Sequence, residues 1–231
     1  MSKLALQIEE IKKNKKNLGQ EAYKEIKEAI IMGKLKPGEV LSENMLAKAL
    51  GMSRTPIRDA LKELLNEDLV EAIPGKGAFV KNIEVVDLLE IYEIREVLEC
   101  MAAKTAVFKI TAEEIQELEN TWNGFLEKIN NGGTVELEAV ALADNKLHNL
   151  FIEKCSNKRL KDIIGILYQQ VLRYQLISAQ LLGSTKTTIK EHLEIIETMK
   201  EKDVEKIVSL LIKHIQWSRS IVERDLTGKQ A

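Results

Sequence analysis

The chain holds three histidines, His148, His192 and His214, and the first stands one helical turn after an aspartate in the stretch DNKLH, residues 144–148. Positions four apart share a helix face, so Asp144 and His148 point the same way. His148 lies amid Ala141, Phe151, Ile152 and Cys155, His192 amid Ile189, Ile196 and Met199, and His214 amid Ile207, Leu210, Leu211 and Ile221. Each histidine is thus at the centre of an apolar arc. A carboxylate inside a core is costly without a partner, and a divalent cation bound by neutral imidazoles and a carboxylate supplies one. Asp144, His148, His192 and His214 are therefore candidate metal ligands, with hydrogen-bonded core histidines as the alternative. Such a set suits zinc, nickel, cobalt, manganese or iron. Arg95, in IYEIREVLE, lies between Leu88, Ile91, Leu98 and Ala102 and also faces the core, with Glu99 one turn on. Either the two form an internal ion pair, or the guanidinium fork awaits a ligand carboxylate that it can meet bidentately.

The elements that must position these groups are helical. From Val80 onward the apolar spacing predicts helices near 85–107, 111–130, 136–154, 158–182, 187–201 and 203–225, broken at KIT, NNGGT, CSN, GSTKT and EKD. That pattern is a bundle of six or seven helices with an interior available for a ligand or metal.

The first eighty residues differ. Ala22, Ile26, Ala29 and Ile30 mark one helix that ends at GKLKPGEVL. In SENMLAKALG, Ser42 is a candidate cap, Met45, Leu46, Ala49 and Leu50 form the expected apolar stripe, and Gly51 provides a left-handed stop. SRTPIRDALKELL follows, capped by Ser53, with Pro56 in its first turn and Ile57, Ala60, Leu61 and Leu64 as the buried arc. Two short helices joined by a tight glycine-containing turn are a helix-turn-helix. Arg54, Arg58 and Lys62 stand at four-residue spacing beside the buried arc, with Thr55 close by. Arginines there can reach guanine O6 and N7 in a major groove, while Ser53 and Thr55 hydroxyls hold phosphates. The alternative is a solvated stripe that pairs with Asp59 and Glu63. LVEAIPGKGAFV then alternates about Pro74, Gly75, Lys76 and Gly77, a hairpin with a basic tip, which makes the whole a winged helix-turn-helix.

Composition agrees with this division. An apolar fraction of 45% with 30% charged residues is that of a globular chain with a real core. The net charge of −2 is unevenly spread: residues 1–81 carry 15 Lys and Arg against 12 Asp and Glu, a net of +3, so the remainder has −5. A basic N-terminal part on an acidic remainder is compatible with nucleic-acid binding by the former. No apolar run approaches a membrane span and no signal peptide is evident, so a cytoplasmic protein with no membrane partner is expected. Cys100 and Cys155 read as small core residues.

The stretch LKPGEVLSENMLAKALGMSRTPIRDALKELLNEDLVEAIPGKGAFV closely resembles the DNA-binding domain of the GntR family of bacterial transcriptional regulators. The resemblance implies DNA contacts at Arg54 and Arg58, helped by Ser53, Thr55 and the wing residues Gly75, Lys76 and Gly77. Asn44 follows LSE where arginine is common, and Lys76 replaces a common wing arginine, so those two contacts differ from the usual ones. IYEIREVLE, DNKLH followed by SN, KEHLEIIETMKEKD and a late KHI are similar to the FCD effector domain of the FadR-like subfamily. That likeness implies a dimerising module in which Asp144, His148, His192 and His214 hold a metal, often zinc or nickel, facing a pocket for a small carboxylate, with Arg95 as an effector contact; Glu99, one turn on from Arg95, is expected beside it at the effector. Members that bind long-chain acyl-CoA lack the histidine set, so its presence argues against an acyl-CoA effector.

The expected organisation is an extension at 1–18, a winged helix-turn-helix at 19–81, a linker at 82–86 within a coupling hinge KNIEVVD, and an FCD-type domain at 87–227. The extension reads as a frayed helix or solvated arm, with a basic arm on DNA phosphate as the alternative. The expected protein is a homodimeric repressor that binds a palindromic operator in double-stranded DNA and answers to a small organic acid. A regulator with a purely structural metal is the second reading. A metalloenzyme is the third, and it lacks a clear general base, Glu99 being the only candidate by helical phase; the chain is therefore expected not to be an enzyme.

Overall fold

Ala22, Ile26 and Ile30 lie buried along the first helix of the computed structural model, α1, which runs over 18–31. The structure describes residues 18–177 and 185–227. All but the last residue of the 1–18 extension, and the expected end of a helix at 182, lie outside them. The chain divides into two units between Asn82 and Ile83.

In the first unit α1 is followed by α2 (Glu43–Leu50) and α3 (Arg54–Asn66). Gly51 ends α2 at φ 66°, a left-handed conformation that costs glycine little, and this permits the abrupt turn into α3. Ile57, Ala60, Leu61 and Leu64 are buried as their spacing predicts. On α2 the expected stripe is corrected: Ala47 is the buried residue, whereas Met45 and Ala49 are exposed. In a helix of 8 residues the candidate apolar positions go most of the way round, so spacing alone does not fix which side faces in. Ser42 and Ser53 occupy the N-cap positions with extended backbone, but neither side chain makes the cap hydrogen bond expected of it. The hairpin forms as read, with β1 (Val70–Ile73) antiparallel to β2 (Gly77–Val80) and Val70 opposite Val80. Gly75 and Gly77 turn its tip at φ 76° and 105°. An isolated bridge from Val40 to Phe79 ties the segment before α2 to the outer edge of β2.

The second unit is helical throughout its described residues: α4 (Val85–Ala106), α5 (Ala112–Asn130), α6 (Leu137–Lys154), α7 (Lys158–Ile177), α8 (Thr185–Glu201) and α9 (Val204–Thr227). The last two residues of the expected linker already belong to α4. Thr111 and Glu114 form a capping box that starts α5. Helix α4 packs along α9 and α6, α5 along α8, and α6 along α7. Trp122, Leu147, Phe151, Ile164, Ile189 and Leu211 fill a large apolar cluster. No helix among the described residues is long and apolar enough to cross a membrane. Helix α4 is buried along Leu88, Ile91, Tyr92, Arg95, Glu99 and Ala103, yet also exposes Val86, Ile94, Val97 and Met101, with Phe108 just beyond its end. Three- and four-residue steps put Ile94, Val97 and Met101 on one stripe of α4, and Phe108 is exposed in the turn that follows the helix.

Candidate metal centre and nucleic-acid interface

Helix α6 supplies Asp144 and His148, α8 supplies His192 and α9 supplies His214. None of the four is more than 4% exposed. One potential ligand atom from each lies within 4.8 Å of all the others. Asp144 Oδ1 is the focus: His192 Nε2 is 3.0 Å away, His214 Nε2 3.3 Å and His148 Nε2 3.6 Å.

The opposite ring nitrogens are anchored outward. His192 Nδ1 is 2.7 Å from the Thr188 carbonyl oxygen, His148 Nδ1 2.6 Å from Glu99 Oε2, and His214 Nδ1 3.3 Å from Glu191 Oε2. A carbonyl only accepts, so His192 donates from Nδ1, and a neutral ring then directs its Nε2 lone pair at Asp144. Burial, with His214 nearby, holds the His192 imidazole down at about 4 and hence neutral. A lone pair and a carboxylate oxygen thus meet at 3.0 Å with no proton to share, an arrangement that a cation between them resolves. His148 Nε2 is likewise buried without a hydrogen-bond partner. The donor set therefore fits a divalent ion: three imidazole nitrogens, one carboxylate oxygen, and outer partners that orient each ring. Without an ion the cluster places its positive charge on His148, whose pKa burial opposes but Glu99 and Asp144 raise to about 9. Burial pushes the Asp144 carboxyl up, but the charge on His148 beside it more than offsets this, and Asp144 stays ionised well below the usual carboxylate range.

Sequence reasoning missed several of these partners. Gln175 Nε2 donates to Asp144 Oδ2 at 3.2 Å and fixes the carboxylate plane. Trp122 stacks on His192, with ring centroids 3.9 Å apart and planes 9° from parallel. Thr188 precedes His192 by four residues, a usable signal; Glu191 adjoins His192 in sequence but serves His214 across the α8–α9 contact, which no local pattern announces.

Arg95 and Glu99 form the internal pair that the sequence left as one of two options. Arg95 Nε donates to Glu99 Oε1 at 2.7 Å and Nη2 to the Tyr168 hydroxyl at 2.8 Å, with the guanidinium over the Tyr92 and Tyr168 rings. Burial pushes the Glu99 carboxyl up, but Arg95 and His148 more than offset it and hold it at about 2. Glu99 thus links Arg95 to a candidate ligand. A small pocket with room for about one water adjoins Asp144 and His214, bounded by Tyr92, Gln175 and Trp217.

In the first unit, Arg54 and Arg58 project from α3 with side chains 58% and 54% exposed. Their acidic partner is Glu43 of α2, whereas the sequence offered Asp59 and Glu63; only Lys62 pairs with Asp59, at 3.6 Å. Ser53 and Thr55 are exposed at the start of α3, as are Gly75, Lys76 and Gly77 at the hairpin tip.

Comparison with known proteins identifies both units. Residues 18–80 match the bacterial regulatory proteins of the gntR family, and residues 90–216 match the FCD domain. The chain is 30% identical over 192 residues to the uncharacterized HTH-type transcriptional regulator YdhC of Bacillus subtilis (strain 168), across 83% of this chain and 85% of that protein. It is 23% identical over 199 residues to the HTH-type transcriptional repressor RspR of Escherichia coli (strain K12), covering 86% of each. Among solved structures, E. coli McbR/YncC shares the fold with a TM-score of 0.74 at 23% identity, over 90% of this chain and 98% of that one. A GntR regulator from Rhodococcus sp. RHA1 does so with a TM-score of 0.75 at 19% identity, over 92% and 99%. A winged helix-turn-helix followed by a helical FCD domain makes this chain a member of the GntR family of DNA-binding transcriptional regulators.

Proposed function

We propose that this regulator is a cytoplasmic repressor whose operator affinity is set by a small carboxylate acting at a divalent metal, zinc or nickel, held by Asp144, His148, His192 and His214. The carrying observation is the convergence of three Nε2 atoms on Asp144 Oδ1 while each Nδ1 is anchored outward. When bound there, a divalent ion supplies a Lewis-acidic centre for an oxyanion. Gln175 keeps the carboxylate oriented, and Glu99 passes the position of His148 to Arg95 on α4. Because α4 begins just after the division between the units, it is the element through which two arrangements of differing operator affinity would be biased. The name of the E. coli relative RspR supports repression. Titration of the full chain onto a duplex from its own upstream region, with and without a panel of small carboxylates, tests the reading; sequence-independent binding indifferent to every acid would sink it.

The internal engagement of Arg95 favours a second reading, in which the metal is structural and no effector enters. Thermal shift across the same carboxylates, with and without chelator, separates the two: only an effector site gives an acid-dependent shift that the chelator abolishes.

Trp122 provides a direct readout of the ion. In a Trp217→Phe background, stoichiometric Ni²⁺ or Co²⁺ is expected to quench most of the Trp122 emission through the stacked His192, and Zn²⁺ to restore it by displacement. Unquenched emission at saturating metal would place the ion elsewhere.

Pairing of two copies is assigned to the exposed α4 stripe of Ile94, Val97 and Met101, with Phe108 just past the helix end, since a monomer would leave these side chains in water. Two-fold pairing presents two winged helices to matching half-sites. Val97→Glu is expected to yield monomers by light scattering and to weaken operator binding on the order of 100-fold through lost avidity. A dimeric Val97→Glu variant would move the interface off this stripe.

A further inference from the structure

Glu43, the first residue of α2, is the acceptor for both arginines at the start of α3. Arg54 donates from Nε and Nη2 to Oε2 at 3.0 and 2.8 Å. Arg58 donates from Nε to Oε1 at 2.9 Å and from Nη2 to Oε2 at 3.0 Å. Both guanidiniums therefore spend the same Nε–Nη2 edge on one carboxylate. Each keeps its outer edge, Nη1 and the second Nη2 hydrogen, which is the pair of parallel donors that fits guanine O6 and N7. Arg58 first and Arg54 second hold the Glu43 carboxyl at about 2, so the clamp stays charged at neutral pH.

An acidic side chain on a surface that approaches phosphate is unfavourable for binding DNA as such. Its place here makes sense if it improves discrimination. Free arginine side chains would have to lose several rotors on docking, and would equally well swing to phosphates; fixing their planes beforehand removes that cost and that escape. We propose that Glu43 is a positioning residue for base readout: it presents Arg54 and Arg58 as a preset pair of guanidinium edges, so that discrimination for guanine at two neighbouring positions, rather than overall affinity for DNA, depends on it. This rests on the reading of Arg54 and Arg58 as base contacts.

The test uses the full chain and a duplex that this chain itself selects from random sequence, with single guanines replaced by 7-deazaguanine, which removes N7 but keeps base pairing. Wild type should lose affinity on the order of tenfold at each of two guanines. Arg54→Ala should abolish the penalty at one and Arg58→Ala at the other. Glu43→Gln should shrink both penalties to about twofold while its affinity for random-sequence DNA holds or rises, one negative charge having left the DNA-facing surface. Glu43→Asp keeps the charge but retracts the carboxylate; it should lose discrimination with no gain on random DNA. Melting temperatures equal to wild type confirm that both variants fold. Full 7-deazaguanine penalties in Glu43→Gln, or an equal loss on selected and random DNA, would overturn the proposal. Penalties that survive Arg54→Ala and Arg58→Ala would instead remove the base contacts themselves, and the role of Glu43 with them.

Discussion

If the proposed centre is right, Asp144→Ala is expected to leave the purified chain without a divalent ion at this cluster and to abolish a chelator-sensitive part of its thermal stability. Asp144 Oδ1 is the atom on which all three imidazole Nε2 atoms converge, so its loss removes the one anionic ligand and leaves three neutral donors with no charge to balance the cation. An ion present at 100 times its dissociation constant contributes about 2.7 kcal/mol to folding, which for a chain of this size corresponds to about 5–11 °C in melting temperature. Chelator should therefore lower the wild-type melting temperature by about that amount and leave Asp144→Ala unmoved. Comparing each protein with and without chelator is essential, because the substitution also deprives His148 of a carboxylate and so affects the ion-free state directly. Gln175→Ala should produce a weaker version: Asp144 keeps its ligand oxygen but loses the bond that orients it, with affinity falling roughly 10- to 100-fold. Elemental analysis of dialysed protein is the primary measurement. Wild-type metal content in Asp144→Ala would remove the cluster as the binding site.

How far the sequence reached depends on whether a feature is local. The helix-turn-helix and hairpin were legible because Gly51, the Pro74–Gly77 turn and the arc from Ile57 to Leu64 each specify their own stretch of backbone. Candidate ligands were legible for a related reason: four residues at the centres of apolar arcs must all point inward, whatever the order in which the helices pack. What serves those residues was not legible. Glu191 and Gln175 reach the cluster only because α8 crosses α9 and α7 lies along α6 at particular heights, a property of the assembled bundle. Helical phase placed Glu99 beside Arg95, yet gave no sign that its second oxygen would fall on His148. The misassigned face of α2 and the unforeseen partner of Arg54 and Arg58 share one cause. The position of Glu43 against α3 is set by the turn at Gly51, and no periodicity within α2 or α3 encodes it.

Arg95→Leu is expected to destabilise the FCD unit by about 3–5 kcal/mol, the cost of leaving one partner of a buried ion pair behind. Arg95 and Glu99 are 2% and 0% exposed, and their 2.7 Å contact is backed by the Tyr168 hydroxyl and two aromatic faces. Leucine fills much of the space of the stem but leaves Glu99 with only His148 as counter-charge. A second substitution, Glu99→Leu, should then recover part of the lost stability, since an apolar pair is often no worse than a buried ion pair. The same double variant should nevertheless bind metal more weakly, roughly 10- to 100-fold, because His148 Nδ1 has lost the carboxylate that orients its ring. This opposition between stability and metal affinity is the diagnostic result. Denaturant titration and metal competition on the two variants measure it. If Arg95 instead served only to receive an effector, Arg95→Leu would relieve an uncompensated buried cation: stability would rise, metal affinity would be unchanged, and only the response to carboxylates would disappear. Its two short hydrogen bonds within the core make the first outcome the expected one.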